Sequence, residues 1–517
     1  MKKSNIFSAK LTLSKRKENK VMKNKKIRFY IPEITLFFFI IISAQATAGS
    51  LIISENTEKL ASLPDKSKLL AYNTDYPGLN NICMAFIKDK KMYAQINDKV
   101  FGPYPHLGKN TPFFAPFTGT SAFIVYSDDK DQVVINGKKQ KKYDGIANLT
   151  FSPDGKKFAY TAQIKDKQFI VSNRGEHEKF AGIKGTHLFS PDSSKLAYIA
   201  FSDPKNGYVI SDKKKYGPYR NIRELSFSPD SSTLGFISFR EKGWHLVING
   251  KESPAYKNMM LLKFSPSNDS ICVVQNKKNK LLLLKNFKEE TPFETMGQPF
   301  FNPEGSIIAY PAKEGKYWQM IINGKKEFKF DQLGPVSFSK KGNSYGYTGI
   351  KNKKPIVVIN GKKKNTYDSS GIISFSTDGK HYAYRAFKKD KGWFVVWDGN
   401  DGKSYLNVKT PLFNPGKNEI AYQAFTGKTV TMVKNKKEGK KYKSIGSPVF
   451  SPKGTRLAYK AQKKDKNWVI NIDGEETSSK INVFTTKFDI IFKNEQNLSA
   501  IAMKDFNFVK LNCSLRK

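Results

Sequence analysis

The amino-acid sequence predicts an all-β protein built from about twelve similar four-stranded sheets. The first observation is an internal repeat, in which phrases such as "FSPDGKKFAY" (151–160) and "FSPKGTRLAY" (450–459) recur. The opening phenylalanines lie 37 or 38 residues apart, at Phe151, Phe189, Phe227, Phe264, Phe301, Phe338, Phe375, Phe413 and Phe450. The second observation is turn chemistry every eight to ten residues, with no helical periodicity between the turns.

Degenerate copies extend the repeat in both directions. Ala85-Phe86 and Ala122-Phe123 lie 37 residues apart and lead in register to Ala159-Tyr160. At the other end, "LSAIAMKDFNFVKLN" (498–512) matches the same pattern. We therefore count twelve units of 37–38 residues.

Two kinds of turn divide each unit into short antiparallel strands. In "SPDG", proline sets φ for a type I turn and glycine takes the left-handed position that follows, so we expect this turn to link the last strand of one unit to the first of the next. In "VINGKK" (134–139), Asn-Gly supplies the positive φ values of a type I′ hairpin between the second and third strands.

A single four-stranded sheet of this length cannot bury both faces, so the units must stack. Radial stacking gives a β-propeller, with Phe151, Ala159, Tyr160 and their equivalents between neighbouring blades. The alanine of the Ala-Tyr pair is expected on the inner strand, where its small side chain suits the crowded axis. A linear solenoid is the alternative.

Twelve blades exceed the four to eight of a usual propeller, so two tandem propellers are predicted. The least regular repeat, at 267–299, marks the junction, which gives a first propeller over 76–298 and a second over 299–517. Seven-plus-five blades or one large ring are the alternatives to this six-plus-six division. Residues 49–75 are expected to complete the last blade.

The repeats carry a resemblance to a known family. "FSPDGKKFAY", "FSPDSSKLAY" (189–198) and "FSPKGTRLAY" resemble the WD-like repeats of TolB-type propellers, which also occur in prolyl oligopeptidases. The resemblance covers residues 76–512 and implies the propeller fold and a rigid surface for protein contacts. It implies no catalytic residue, because propellers host many unrelated functions.

The N-terminal segment has the three parts of a secretory signal within residues 1–48. A basic stretch precedes an apolar run from Ile34 to Ala44, and small residues follow at Ala46 and Ala48. Met22 is a possible true start. The sequence therefore predicts export to the periplasm, cell envelope or exterior of a bacterium, with an uncleaved membrane anchor as the alternative.

The chain is strongly basic, and lysine accounts for most of the charge. The 89 Lys and Arg residues against 45 Asp and Glu give a net charge of +44, and only nine of the basic residues are arginines. Since arginine is the residue suited to phosphate and base recognition, nucleic acid is an unfavoured partner. An acidic protein or an anionic envelope polymer is the predicted partner.

Hairpin lysines are the predicted binding residues. The loops between the second and third strands are expected to share one face of the propeller with the loops that join consecutive units. The lysines that we predict to contact the partner are Lys138, Lys139, Lys251, Lys325, Lys326, Lys362 and Lys363. The competing interpretation is that these lysines only keep the hairpins soluble.

The sequence predicts no catalytic, cofactor-binding or metal-binding residue. "GNSYG" (342–346) matches the G-x-S-x-G pattern, but Ser344 begins a propeller strand, whereas a nucleophile elbow lies between a strand and a helix. The histidines occupy different repeats, at His106, His177, His187, His245 and His381. A non-catalytic interaction scaffold is the predicted function. The alternatives are a propeller hydrolase or lyase that acts on an envelope polymer, and a carbohydrate-binding or adhesion module.

Overall fold

A computed structural model describes residues 51–75, 78–108, 112–212, 214–241, 243–479, 481–484 and 490–516. The predicted signal segment, residues 1–48, lies outside these residues. Residues 51–517 form one compact unit. Within the described residues all regular structure is β-strand, in twelve sheets, and no helix is long and apolar enough to cross a membrane.

The twelve sheets are the blades of a β-propeller, numbered here along the chain. The first strand of the chain is β1 (Ile52–Ser62). Blade 1 contains β2 (Lys68–Thr74), β3 (Ile82–Lys88), β4 (Lys91–Ile96) and β5 (Lys99–Tyr104). Blade 2 contains β6 (His106–Leu107), β7 (Phe113–Phe114), β8 (Ser121–Tyr126), β9 (Asp131–Ile135) and β10 (Lys138–Tyr143). Blade 3 contains β11 (Gly145–Phe151), β12 (Phe158–Ile164), β13 (Lys167–Ser172) and β14 (Gly175–Glu176).

The next four blades continue in chain order. Blade 4 contains β15 (Gly182–Phe189), β16 (Leu196–Asp203), β17 (Asn206–Ser211) and β18 (Lys214–Tyr219). Blade 5 contains β19 (Asn221–Phe227), β20 (Leu234–Arg240), β21 (Gly243–Ile248) and β22 (Lys251–Glu252). Blade 6 contains β23 (Asn258–Phe264), β24 (Ser270–Gln275), β25 (Leu281–Lys285) and β26 (Lys288–Glu289). Blade 7 contains β27 (Thr295–Met296), β28 (Phe300–Phe301), β29 (Ile308–Glu314), β30 (Tyr317–Ile322) and β31 (Lys325–Phe330).

The last five blades have a first strand that is split into two short segments. Blade 8 contains β32 (Gln332–Leu333), β33 (Ser337–Phe338), β34 (Tyr345–Lys351), β35 (Lys354–Ile359) and β36 (Lys362–Thr366). Blade 9 contains β37 (Ser369–Ser370), β38 (Ser374–Phe375), β39 (Tyr382–Lys388), β40 (Gly392–Trp397) and β41 (Asn400–Asp401). Blade 10 contains β42 (Asn407–Val408), β43 (Leu412–Phe413), β44 (Ile420–Phe425), β45 (Val430–Lys434) and β46 (Lys437–Tyr442). Blade 11 contains β47 (Ser444–Ile445), β48 (Val449–Phe450), β49 (Leu457–Gln462), β50 (Trp468–Ile472) and β51 (Glu475–Glu476). Blade 12 contains β52 (Val483–Phe484), β53 (Ile491–Phe492), β54 (Asn497–Lys504), β55 (Asn507–Arg516) and β1.

The position of the Ser-Pro-Asp-Gly turn within the blade corrects the sequence interpretation. Phe151 at the end of β11 pairs with Phe158 at the start of β12, so the turn links the first and second strands of one blade rather than two units. The first strands of neighbouring blades contact each other, β11 with β15 and β19 with β23, and therefore lie nearest the axis. The Ala-Tyr pair belongs to the second strand and not to the inner strand, as Ala159 and Tyr160 on β12 show.

The Asn-Gly turns are hairpins of the expected type, one strand later than predicted. Asn136 and Gly137 have φ of 47° and 75°, the two positive values of a type I′ turn. They join β9 to β10, the third and fourth strands of blade 2. The Asn136 side chain accepts a hydrogen bond from the Ser121 N–H at 2.9 Å, which ties the hairpin to the second strand.

Each pair of neighbouring blades shares one hydrophobic core. The predicted burial of Tyr160 and Tyr384 between blades is confirmed, since they are 1% and 0% exposed. Tyr160 packs with Ala122 and Val133 of blade 2, and Tyr384 packs with Val357 of blade 8. The alternation of buried aromatic and small residues along the second strand produces these cores.

The cores follow one circuit of twelve blades. Blades 6 and 7, on either side of the predicted junction, share a core that contains Val273 and Tyr310. Blade 12 packs on blade 1 through a core that contains Ile501, Phe508 and Phe86. These contacts agree with the alternative of one large ring. The six-plus-six division into tandem rings is not confirmed, and the boundary at 298/299 stays a prediction.

The two chain ends of the described part meet in blade 12. β1 pairs antiparallel with β55 from Ile52 opposite Arg516 to Ser62 opposite Asn507, and is the fourth strand of that blade. Within the stretch 49–75, β2 instead forms the first strand of blade 1. Lys510 of β55 donates hydrogen bonds to Gly78 O at 3.3 Å and Asn80 Oδ1 at 2.5 Å, in the segment that follows β2.

Candidate functional site

Two sets of loops share one face of the propeller. Because the strands of a blade are antiparallel, the turn between strands one and two lies on the same face as the hairpin between strands three and four. We call this the hairpin face. It carries the turns equivalent to residues 152–157 near the axis and the hairpins equivalent to residues 136–137 toward the rim.

The predicted binding lysines lie on the hairpin face and are all exposed. Each stands at the start of a fourth strand: Lys138 and Lys139 on β10, Lys251 on β22, Lys325 and Lys326 on β31, and Lys362 and Lys363 on β36. The structure brings the lysine pairs of β31 and β36 together on adjacent blades, 7 and 8. Lys138, Lys139 and Lys251 belong to blades 2 and 5 and lie apart from them.

Some of these lysines have partners within the protein. Lys326 Nζ lies 2.6 Å from Glu314 Oε1, and Lys363 Nζ lies 4.4 Å from the centroid of the Phe328 ring. Lys251 Nζ lies 5.4 Å from the Phe287 ring. Such contacts stabilise the hairpins locally. Among the described residues, the Lys325 and Lys362 ammonium groups make no ion pair or ring contact and remain available to an external anion.

The turns near the axis differ in charge around the ring. In blades 3 to 5 an aspartate occupies the turn and is satisfied inside it. Ser152 Oγ donates to Asp154 Oδ1 at 2.5 Å, and the Asp154 N–H donates to Ser193 Oγ of the next turn at 3.0 Å. The Ser152 hydroxyl and the Lys156 N–H lower the pKa of Asp154. Each turn is therefore joined to the following one by polar contacts.

In blades 8, 10 and 11 a lysine or glycine replaces the aspartate of this turn, whereas blades 9 and 12 keep a carboxylate there, at Asp378 and Glu495. Lys341 and Lys453 stand where Asp154 stands in blade 3, and Lys417 follows Gly416 in blade 10. We use the name basic arc for the exposed cations of the turns of blades 8 to 12 that lack an ion pair among the described residues, together with the arginine at the end of β55: Lys340, Lys341, Lys417, Lys453, Lys493 and Arg516. Within the described part of the chain, none of these six side chains forms an ion pair.

Two adjoining cavities open along the basic arc. One, of about 480 Å³, lies between blades 8, 9 and 10 and is lined by Lys341, Asn418 and Lys417 among others. The second, of about 810 Å³, lies between blades 10, 11 and 12 and extends from Lys417 to Arg516. Lys417 lines both cavities, so we treat them as one feature, the turn groove.

The one carboxylate that lines the larger cavity is already satisfied. Glu495 accepts hydrogen bonds from the Lys453 N–H at 2.7 Å and from the hydroxyls of Ser451 and Thr455. Although burial alone would raise its pKa, these bonds lower the pKa of Glu495 to about 2. Its charge is therefore directed into the turn of blade 11. Asp378, which lines the smaller cavity, likewise accepts a hydrogen bond within its own turn, from Ser376 Oγ at 2.6 Å. Of the cations that line the larger cavity, Arg456 pairs with Asp473 at 3.2 Å.

The serine and histidine side chains that the sequence raised as catalytic candidates have local structural roles. Ser344 Oγ donates to Gly379 O at 2.7 Å, which joins the turn of blade 8 to that of blade 9. His245 Nδ1 lies 2.8 Å from Ser253 O, and His381 Nδ1 lies 2.7 Å from Asp398 Oδ2. Across the described ranges no three His, Cys, Asp or Glu side chains are grouped so as to hold a metal ion. The propeller fold itself does not decide between an enzyme and a binding protein.

Sequence reasoning placed these lysines on the same face as the Ser-Pro-Asp-Gly turns, as the structure has them, but it missed the turn groove. Its signal was present as the replacement of the turn aspartate by lysine or glycine in blades 8, 10 and 11. Interpreting this replacement requires knowing which blades lie next to one another, and the structure shows that.

Comparisons with known proteins give only distant structural matches. No family model and no curated protein matches the chain. Among solved structures, dihydro-heme d1 dehydrogenase NirN in complex with DHE matches with 12% identity and a TM-score of 0.27, over 64% of this chain and 72% of that one. TolB from Acinetobacter baumannii matches with 14% identity and a TM-score of 0.23, over 53% of this chain and 76% of that one. At TM-scores this low the two matches decide nothing about this chain, and the propeller fold is established by the twelve blades themselves.

Proposed function

We propose that the protein is a non-catalytic, exported propeller scaffold whose hairpin face binds an acidic protein or an anionic envelope polymer. The observation that carries the proposal is the set of exposed ammonium groups on this face that have no anionic partner among the described residues, such as Lys325 and Lys362. The net charge of +44 adds a long-range attraction for anions.

Lysine chemistry suits this function. An ammonium group is a hydrated point charge that pairs with carboxylates without demanding one geometry. The attraction between exposed charges decays over about 8 Å at physiological ionic strength. Binding through this face should therefore consist of many weak contacts rather than a few strong ones, and the affinity should fall steeply as salt is added.

The first test changes Lys325, Lys326, Lys362 and Lys363 together to glutamine. Four exposed ion pairs of a few tenths of a kcal/mol each predict binding to polyglutamate about tenfold weaker, with a shallower dependence on salt. Titration calorimetry across a salt series measures both quantities.

A matched control keeps the net charge equal. Lys353, Lys354, Lys389 and Lys464 are exposed in the loops between second and third strands, on the opposite face. Their change to glutamine removes the same four charges and should leave binding close to that of the wild type. Equal losses in the two variants would show that only total charge matters and would reject the hairpin face.

Export is tested separately. The small residues after the apolar run predict cleavage after Ala46 or Ala48, so the mature chain should begin at Thr47 or Gly49. N-terminal sequencing of protein from an envelope fraction checks this. Recovery of chains that still carry residues 22–46 would instead favour a membrane anchor.

A further inference from the structure

We propose that the turn groove is the docking site for an acidic segment of polypeptide in extended conformation. This inference rests on the proposed function, since it assigns the acidic partner to one part of the hairpin face. It is carried by the charge of the turns, by the cavities between them and by the side chains that line those cavities.

The charge of the turns selects one arc of the ring. The turns of blades 3 to 7 each carry a carboxylate, at Asp154, Asp192, Asp230, Asp269 and Glu304. The basic arc of blades 8 to 12 carries six exposed cations that form no ion pair in the described ranges. Asp378 and Glu495 also stand in turns of this arc, but both accept hydrogen bonds within the turns. An anionic segment that approaches the axis is therefore attracted most strongly to the basic arc.

The basic arc is positively charged and also borders two cavities. The turn groove consists of two cavities that share Lys417, one reaching Lys341 of blade 8 and the other Arg516 of blade 12. Neighbouring sheets pack about 10 Å apart, so the turns of successive blades are spaced at roughly this interval, and every blade of the arc except blade 9 presents a cation of the basic arc there. An extended peptide covers the same distance in about three residues, which allows one carboxylate per blade.

The lining favours a polypeptide over a highly charged polymer. Pro415 is exposed and lines the smaller cavity, so apolar surface lies beside Lys417. The amides of Asn418 and Gln496 can hydrogen-bond to peptide groups. The two lysines that line the cavities, Lys341 and Lys417, can pair with carboxylates without demanding one geometry.

The test uses the full chain and a labelled synthetic peptide with aspartate at every third position and apolar residues between. The groove variant changes Lys341, Lys417 and Arg516, which line the two cavities, together to glutamine. Because these side chains are exposed, the thermal unfolding midpoint should stay unchanged, while affinity for the peptide falls about tenfold or more. The variant of Lys325, Lys326, Lys362 and Lys363 should lose less than threefold for this peptide, which is short enough to lie within the groove, whereas the longer polyglutamate chain also reaches the hairpins.

A second variant tests the groove by gain of binding. Glu304 is exposed in the turn of blade 7, and its Oε1 lies 3.3 Å from the Gly342 N–H beside Lys341. Glu304→Gln removes the carboxylate that borders the basic arc and should tighten peptide binding about twofold. An unchanged affinity in both the groove variant and Glu304→Gln would overturn the assignment of the groove.

The outcomes separate the groove from the wider proposal. Loss of peptide binding only in the hairpin-lysine variant would overturn the groove and support the proposed function of the face. Loss in neither variant would reject both. Tighter binding of polyphosphate than of the peptide, at equal total charge, would reject a polypeptide as the occupant. A peptide with asparagine in place of aspartate should not bind, and its binding would contradict the role of charge.

Discussion

Replacing Tyr384 by alanine is expected to lower the free energy of unfolding by roughly 3–5 kcal/mol, the loss typical of a buried aromatic residue. Tyr384 is fully buried between blades 8 and 9. Its ring packs edge-on against Tyr367, with centroids 6.1 Å apart, and parallel to Tyr382 at 6.3 Å. Alanine would leave a cavity between two sheets that cannot collapse without moving the ring. Urea unfolding followed by tryptophan fluorescence measures the change.

Tyr384→Phe is the matched control for this prediction. It keeps the ring between the blades and removes only the hydroxyl, so its loss should be a small fraction of that of the alanine variant. A loss below about 1 kcal/mol in Tyr384→Ala would contradict the packing role of the repeated aromatic residue. The same comparison can be made at Tyr160, which holds the equivalent position between blades 2 and 3.

Acidification is expected to weaken the fold through His187. The side chain is 4% exposed in β15, and its Nε2 lies 2.8 Å from Thr150 Oγ1 and 2.9 Å from Ala159 O. Burial lowers the pKa of His187 from 6.5 to about 4, although the bond to the Ala159 carbonyl opposes this shift. The folded state therefore excludes a proton that the unfolded state binds below pH 6.5.

The sign of the effect follows from this difference. As pH falls from 6.5 to about 4, the unfolded state gains the proton first, so stability falls by about 3 kcal/mol and then levels off. His187→Gln retains an amide donor at this position. In this variant the same acidification should lower the free energy of unfolding by about 3 kcal/mol less than in the wild type. Urea unfolding of both proteins at pH 7.0, 5.5 and 4.0 measures the difference. Parallel pH profiles for the two proteins would show that His187 does not titrate as described.

The repeats predicted the fold, but they did not show where along the repeat each blade begins and ends. Each repeat contains, at a fixed position, the aromatic residue that fills the core between two blades. The burial of Tyr160 and Tyr384 could therefore be predicted from the spacing of the repeats alone. A periodic sequence does not mark where one blade ends, because every hairpin has a strand on either side. The pairing of Phe151 with Phe158 places the turn inside a blade, and only the sheet contacts reveal it.

Contacts between blades were the part that sequence could not supply. Tyr256 of blade 5 donates a hydrogen bond to Glu289 of blade 6 at 2.7 Å, and Tyr405 of blade 9 donates to Glu438 of blade 10 at 2.9 Å. These partners are 33 residues apart in both cases, which shows a second repeated interaction besides the apolar cores. This spacing predicts a hydrogen bond only when it is known that the fourth strands of neighbouring blades face each other. The turn groove was missed for the same reason.

Pairing of β1 with β55 imposes an order on biosynthesis. The first strand of the described chain is translated about 450 residues before its partner, so at roughly 5–20 residues per second β1 waits between about 20 and 90 seconds for it. During that interval a nascent chain presents an unpaired strand edge, the feature through which chains aggregate. Glu55, Glu58 and Lys59 place charges along this strand and discourage premature pairing with other chains. A chain that stopped before β55 would therefore leave β1 without its partner strand and blade 12 open at its seam.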